Sequence, residues 1–173
     1  MFPASIWDAL PSTITPPTLE GDPFWNNYIQ AHPKANVHVA ILSQPYLDLV
    51  LASKKTVESR FSADKRTPYG KLLQDDVILL KQVGGPICGL ARAKKVWCYE
   101  VNPGVFASIR LNFGKRLHIE DPALWERYKR AAYATLIQLD NARRILPILY
   151  SKRDQRAWIT FNHAPSQLAL PLR

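Results

Sequence analysis

The repeat of apolar positions changes period several times along the chain, and each change marks an element. In residues 43–62, Tyr46, Leu49 and Val50 fall at i, i+3 and i+4 behind Pro45, whose fixed φ suits a first helical turn, so Ser43 or Gln44 is the expected cap. Past Ser53, Lys54 and Lys55 the period drops to two. Val57 and Phe61 then share one face of a strand, and Thr56, Glu58 and Arg60 share the other. The pattern predicts a helix, a turn and a strand with one packed face and one charged face.

Further elements flank this stretch. Residues 37–42 are a short apolar strand feeding the helix, and residues 77–80 are an unbroken apolar run expected to be covered on both faces after a turn at Asp75 and Asp76. Between them, Asp64, Lys65, Arg66, Pro68 and Gly70 sit in a polar loop that is either a binding loop on a rigid scaffold or a solvated one. Gly84 and Gly85 supply the positive φ of a hairpin returning through residues 87–99, and Gly89 within that strand predicts a bulge or a close backbone approach. Asn102-Pro103 caps a helix with Val105, Phe106, Ile109 and Phe113 on one face and Gly114 at its end. Asp121-Pro122 opens another, with Leu124, Trp125, Tyr128 and Ala132 inward. Residues 134–139 are strand-like again, Asp140-Asn141 reads as a turn, and residues 145–150 and 157–161 read as a closing hairpin.

With 173 residues the chain suits one domain with a sizeable core. The expected division is a Pro-rich arm over residues 1–36 packed on the domain, a domain over residues 37–162, and an extended tail over residues 163–173 in which Leu168, Leu170 and Leu172 alternate. The arm has apolar anchors at Ile6, Trp7 and Leu10, and a short helix after Asp22-Pro23 carries Phe24, Trp25, Tyr28 and Ile29, which either pack across the domain or bind a ligand. Arm and tail together could also hold a protein partner or a second copy of the chain.

Charge narrows the function classes. Lys and Arg number 23 against 14 Asp and Glu, giving a net charge of +9 and a pI near 9.7, so polyanions are the natural partners, nucleic acid ahead of a membrane surface. No apolar run reaches transmembrane length and the N-terminus lacks a secretory pattern, which points to the cytoplasm. Cys88 and Cys98 lie too far apart on one strand to pair and are expected as buried free thiols. His38, His118 and His163 are scattered, and no nucleotide-binding glycine loop or Ser-His-Asp spacing occurs, so neither metal nor cofactor is expected.

Gln44-Pro45-Tyr46 followed by Lys55-Thr56-Val57-Glu58-Ser59-Arg60 resembles the signature of ASCH domains, small PUA-like β-barrels linked to RNA. Residues 81–89, a Lys-Gln-x-Gly-Gly-Pro-Ile-x-Gly run, and residues 152–158 fit the same pattern, so the resemblance covers roughly residues 37–162. It implies an α+β fold, a PUA-like β-barrel of about five to six strands with peripheral helices, and RNA or other single-stranded nucleic acid as partner. Some ASCH-like proteins are acetylcytidine amidohydrolases that use a lysine, a threonine three residues later and a remote glutamate. Lys55 matches that lysine and Glu58 stands in the threonine's place, where a carboxylate cannot donate as a hydroxyl does and keeps Lys55 protonated. Glu120 or Asp121 is the candidate remote acid. Relatives also raise ribonuclease chemistry, with Lys55 stabilising phosphate charge and Glu58 moving a proton.

The candidate catalytic set is therefore Lys55, Glu58 and Glu120. Candidate RNA-binding residues are Lys54, Lys55, Glu58, Arg60, Lys65, Arg66, Lys94, Lys95, Lys152, Arg153 and Arg156. Glu58 and Arg60, two apart on one face, offer an acceptor beside a fixed cation; Lys55 joins them only if the preceding turn or a bulge reorients it. Arg92, Lys94 and Lys95 interleave with Trp97 and Tyr99, a pattern that suits either base stacking or an amphipathic hairpin with solvated lysines. A solvated Lys-Glu-Arg ladder is the alternative to a pocket at the signature strand.

Overall fold

The computed structural model describes residues 5–151 and 155–162, so Lys152, Arg153 and the leucine-alternating tail lie outside the described residues. Six strands form one mixed sheet in the order β2-β5-β4-β3-β1-β6, where β1 is Val37–Leu42, β2 Val57–Ser62, β3 Val77–Gln82, β4 Ile87–Glu100, β5 Tyr133–Ile148 and β6 Trp158–Phe161. Only β1 and β3 run parallel. Four α-helices surround the sheet: α1 Pro23–Ala31, α2 Tyr46–Leu51, α3 Pro103–Leu117 and α4 Pro122–Tyr128.

The sheet curls because its two longest strands are bulged. Pairing of β4 with β5 slips between Ile87 and Gly89, Leu90 and Arg92, and Ala93 and Lys95, and each bulge bends and twists the ribbon. One half of β4 thus lies beside β3 while the other half, with β5, carries β2 around. The result is a half-barrel with β2 and β6 as its free edges. Gly89 is required at the first slip: a Cβ there would sit 2.6 Å from Leu51 Cδ2 and 2.9 Å from the Arg143 carbonyl oxygen.

Burial follows the strand pattern. Residues 77–81 of β3 are all buried, as expected for a strand covered on both faces. Ile6, Ile14, Leu19, Trp25 and Tyr28 join Val37, Val39, Val77 and Leu79 in one apolar cluster, and the Trp25 indole donates to the Asn141 carbonyl at 3.1 Å. Phe106, Ile109, Phe113 and Leu117 of α3 pack with Val57, Leu136 and Trp125.

Several expectations need correction. Asp140-Asn141 does not turn the chain: Asn141 takes a positive φ of 48° inside β5, which runs on to Ile148. Residues 157–161 accordingly do not return along β5; β6 pairs with β1 instead. Gly114 does not end α3, which runs on to Leu117, and His118 supplies the left-handed cap at φ 57°. Helix α4 stops at Tyr128, leaving Ala132 exposed. In α2, which begins at Tyr46, the buried residues are Leu47 and Val50, while Tyr46 and Leu49 are half-buried. The cysteines are free, but Cys88 is half-buried against the core and Cys98 is exposed.

Candidate functional site

The open seam between the two sheet edges is where the signature strand points. Arg60, on edge strand β2, donates from its two terminal nitrogens across the seam to the carbonyls of Ile41 (3.0 Å) and Ala157 (3.3 Å). Its guanidinium lies 5.2 Å from the centroid of the Trp158 ring. Behind it, the Trp158 indole donates to His38 Nδ1 at 3.1 Å, which fixes the imidazole proton on Nε2 and aims it at Asp76 Oδ2, 2.9 Å away. Asp76 also accepts from the backbone N–H groups of Asn36 and Leu73. This buried Asp76–His38–Trp158 chain, invisible to sequence reasoning because its members lie up to 120 residues apart, is a rigid backing for Arg60.

Lys55 does reach the same site. It precedes β2 rather than lying in it, and Ser53 adopts a φ of 57° in the turn before it, so strand alternation does not govern its direction. Lys55 Nζ donates to the Leu117 carbonyl at 2.5 Å, capping the negative end of α3, and lies 3.5 Å from Glu58 Oε2. Glu58 Oε1 lies 3.3 Å from Arg60 Nε. The charged face of β2 is thus turned inward: Lys55 is 3% exposed and Glu58 7%. Neither Glu58 Oε2 nor Arg60 Nε has a hydrogen-bond partner among the described residues, so the row carries unused hydrogen-bonding capacity. Burial pulls the Lys55 ammonium below the ordinary lysine value, against the opposing pull of Glu58.

Above this row opens a cavity of about 710 Å³. Its walls are aromatic, with Tyr46 from α2, Phe61 from β2, Tyr128 from α4 and Trp158 from β6. Burial raises the Tyr46 and Tyr128 phenols above their ordinary value, with carboxylates nearby adding to it, so both stay protonated donors. Among the described residues five cationic side chains line it, Lys55, Arg60, Arg66, Arg127 and Arg156, against the single carboxylate of Glu58. Arg66 is held bidentate by Asp64 at 2.6 and 2.7 Å, whereas Arg127 is exposed and makes no ion pair among the described residues. Arg127 lines the cavity although its place on the polar face of α4, opposite Trp125, gives no signal of this in the sequence.

The other candidates lie elsewhere. Glu120 is 87% exposed, 3.8 Å from His118, and off the cavity lining, as is Asp121, which caps α4. Lys54 is exposed on the turn after α2, and Lys65 sits over the Tyr133 ring, also off the lining. Lys94 and Lys95 are exposed on β4, with Lys95 5.0 Å from the Trp97 ring centroid. Lys152 and Arg153 lie outside the described residues. Among those residues no helix is long and apolar enough to cross a membrane, and no cluster of His, Cys, Asp or Glu is placed to hold a metal ion.

No protein-family model matches the chain, and no curated protein matches it. Solved structures do. The ASCH protein of Zymomonas mobilis superposes with a TM-score of 0.53 at 18% identity, covering 65% of this chain and 72% of that one. Two single-residue variants of the same protein give TM-scores of 0.52 and 0.50, at 18% and 17% identity, each over 64% of this chain and 72% and 73% of theirs. A six-stranded mixed half-barrel with four peripheral helices, and superposition on these proteins, establish that this chain has the ASCH fold.

Proposed function

We propose that this protein binds single-stranded nucleic acid, RNA in particular, drawing one base into the cavity beside Lys55, Glu58 and Arg60. The observation that carries the reading is the cavity's lining, which among the described residues sets five cations against one carboxylate between four aromatic walls. Phosphates would meet Arg127 and Arg156 at the rim, positioning the strand, while the base stacks on the ring walls and offers its edge to the floor. A fixed, buried Glu58 beside two cations suits recognition of a base edge better than it suits a solvated ladder, which would be exposed and weak.

The test is a salt titration of single-stranded RNA binding. Arg127→Ala should reduce the slope of log K against log salt by about 0.7, the share of one phosphate contact, whereas exposed Lys34→Ala should leave it unchanged. Equal slopes for both variants would place the polyanion elsewhere on the surface.

One observation favours catalysis as a second reading: Lys55 is desolvated and its ammonium destabilised, a state that suits a base or nucleophile. Its commitment to the Leu117 carbonyl and to Glu58 favours a charged, positioning role instead. Shortening of an RNA strand, or loss of an acetyl group from acetylcytidine, abolished by Lys55→Met in a folded variant, would establish the catalytic reading.

A further inference from the structure

The floor of the cavity presents its hydrogen-bonding groups in a defined order: the Lys55 ammonium, both oxygens of the Glu58 carboxylate, then the Arg60 guanidinium, with contacts of 3.5 Å and 3.3 Å between neighbours. That is donor, acceptor, acceptor, donor. Arg60 gives its terminal nitrogens to Ile41 and Ala157, and its Nε, beside Glu58 Oε1, and Glu58 Oε2 are buried without a hydrogen bond among the described residues. Lys55 gives one of its three protons to the Leu117 carbonyl.

Resting on the reading that a base enters this cavity, we propose that the row selects bases whose ring N–H lies beside a carbonyl, uracil and guanine, and rejects cytosine and adenine. The Watson–Crick edge of uracil runs carbonyl, N–H, carbonyl, and so meets cation, carboxylate, cation. Guanine offers one carbonyl to a cation and its ring N–H and amino group to the two carboxylate oxygens. Cytosine and adenine instead turn a ring-nitrogen lone pair toward Glu58 and an amino group toward a cation. Both contacts are repulsive, because an ionised carboxylate has no proton to give and an ammonium or guanidinium no lone pair.

The carboxylate torsion of a glutamate is broad and two-fold, so a small rotation brings either oxygen to the ligand without leaving the rotamer. Burial makes the choice stringent. With Glu58 only 7% exposed, water cannot repair a mismatched contact, and a site built to pair with an N–H rejects an analogue lacking it. The cavity, about 710 Å³, has room for either ring size, so shape does not decide between the two accepted bases.

The test uses short RNA strands that are abasic except for one central position carrying each base in turn, plus a fully abasic strand, titrated against the whole protein at fixed salt. Uracil and guanine strands should bind about tenfold or more tightly than cytosine and adenine strands, the discrimination usual for one well-paired base edge. Glu58→Gln, whose amide both donates and accepts, should remove most of that preference when assayed at a temperature where its circular dichroism matches the folded wild type, since loss of the carboxylate beside buried Lys55 lowers its melting temperature. Equal binding of all four bases, preference for cytosine or adenine, or a preference that survives Glu58→Gln would overturn the inference. Should Glu58→Gln fail to fold, the wild-type comparison of the four bases decides alone. If the four strands bind no better than the abasic one, the inference falls while phosphate binding stands; if none binds, the nucleic-acid reading falls with it. Free uridine and guanosine 5′-monophosphates, run in parallel, show by the same preference whether the strand is needed or the mononucleotide suffices.

Discussion

Lys55 and Glu58 form a buried pair whose energetics can be worked through. At 3.5 Å and an effective dielectric near 20, their attraction is about 5 kcal/mol, and desolvation of each ion costs several kcal/mol, so the pair as a whole is close to neutral for stability. Removing one partner is a different matter. Lys55→Met leaves Glu58 buried with only Arg60 for compensation and takes the donor from the Leu117 carbonyl at the end of α3, so a loss of about 3–5 kcal/mol is expected. The double change Lys55→Met with Glu58→Gln removes the orphaned charge and should recover most of that loss. Urea unfolding followed by tryptophan fluorescence, applied to wild type, both singles and the double, gives the coupling directly. A double variant as unstable as Lys55→Met, or a Lys55→Met variant within about 1 kcal/mol of wild type, would refute the claim that these charges are buried together.

Gly89→Ala should lower stability by about 1–3 kcal/mol, because its Cβ would press on the Leu51 side chain and on the Arg143 carbonyl, which cannot move without disturbing the β4–β5 ladder; a thermal melt unchanged from wild type would count against the close approach. Trp25→Ala should cost about 3–5 kcal/mol despite lying outside the sheet, since the ring is buried and its indole holds Asn141; an unchanged urea midpoint would show the N-terminal segment to be dispensable. Burial raises the phenols of Tyr28, Tyr46 and Tyr128 above the unfolded value of 10.0, so the unfolded chain loses these protons first and stability, complete below that pH, falls as pH climbs toward the folded values. Lys55 acts in the opposite direction, because its lowered folded value makes stability rise with pH, but only up to 10.5. Urea midpoints should therefore drop once pH passes about 10.5, less steeply in Tyr128→Phe, and a flat profile would contradict the burial of these phenols.

How far the sequence went depends on whether a feature is local. Capping pairs such as Asn102-Pro103 and Asp121-Pro122, the apolar run of β3 and the glycine at the β4 bulge are set by neighbours in the chain, and each was readable. Asp140-Asn141 misled because the residue types that make turns also tolerate a positive φ inside a bulge, and only pairing with β4 tells the two apart. The pairing of β6 with β1 rests on contacts more than 100 residues apart, for which no local signal exists. At the site, Glu58 and Arg60 were legible as one face of a strand, but their burial was not: alternation shows which residues share a face, never whether that face meets solvent or the closing edge of its own sheet. Arg127 looked like a helix-surface charge because the cavity it borders is made by α4 and β2 folding together.

The most direct measurement follows the five tryptophan indole N–H signals by NMR as a single-stranded RNA is added. Trp158 lines the cavity and its indole bonds to His38, Trp97 lies beside the exposed Lys95 on β4, and Trp7 and Trp25 pack in the N-terminal cluster. Binding in the cavity should shift the Trp158 signal most, with Trp7, Trp25 and Trp97 little changed. A dominant shift at Trp97 with Trp158 unmoved would contradict the account, placing the strand on the basic surface of β4 and leaving the row of Lys55, Glu58 and Arg60 a structural latch across the seam.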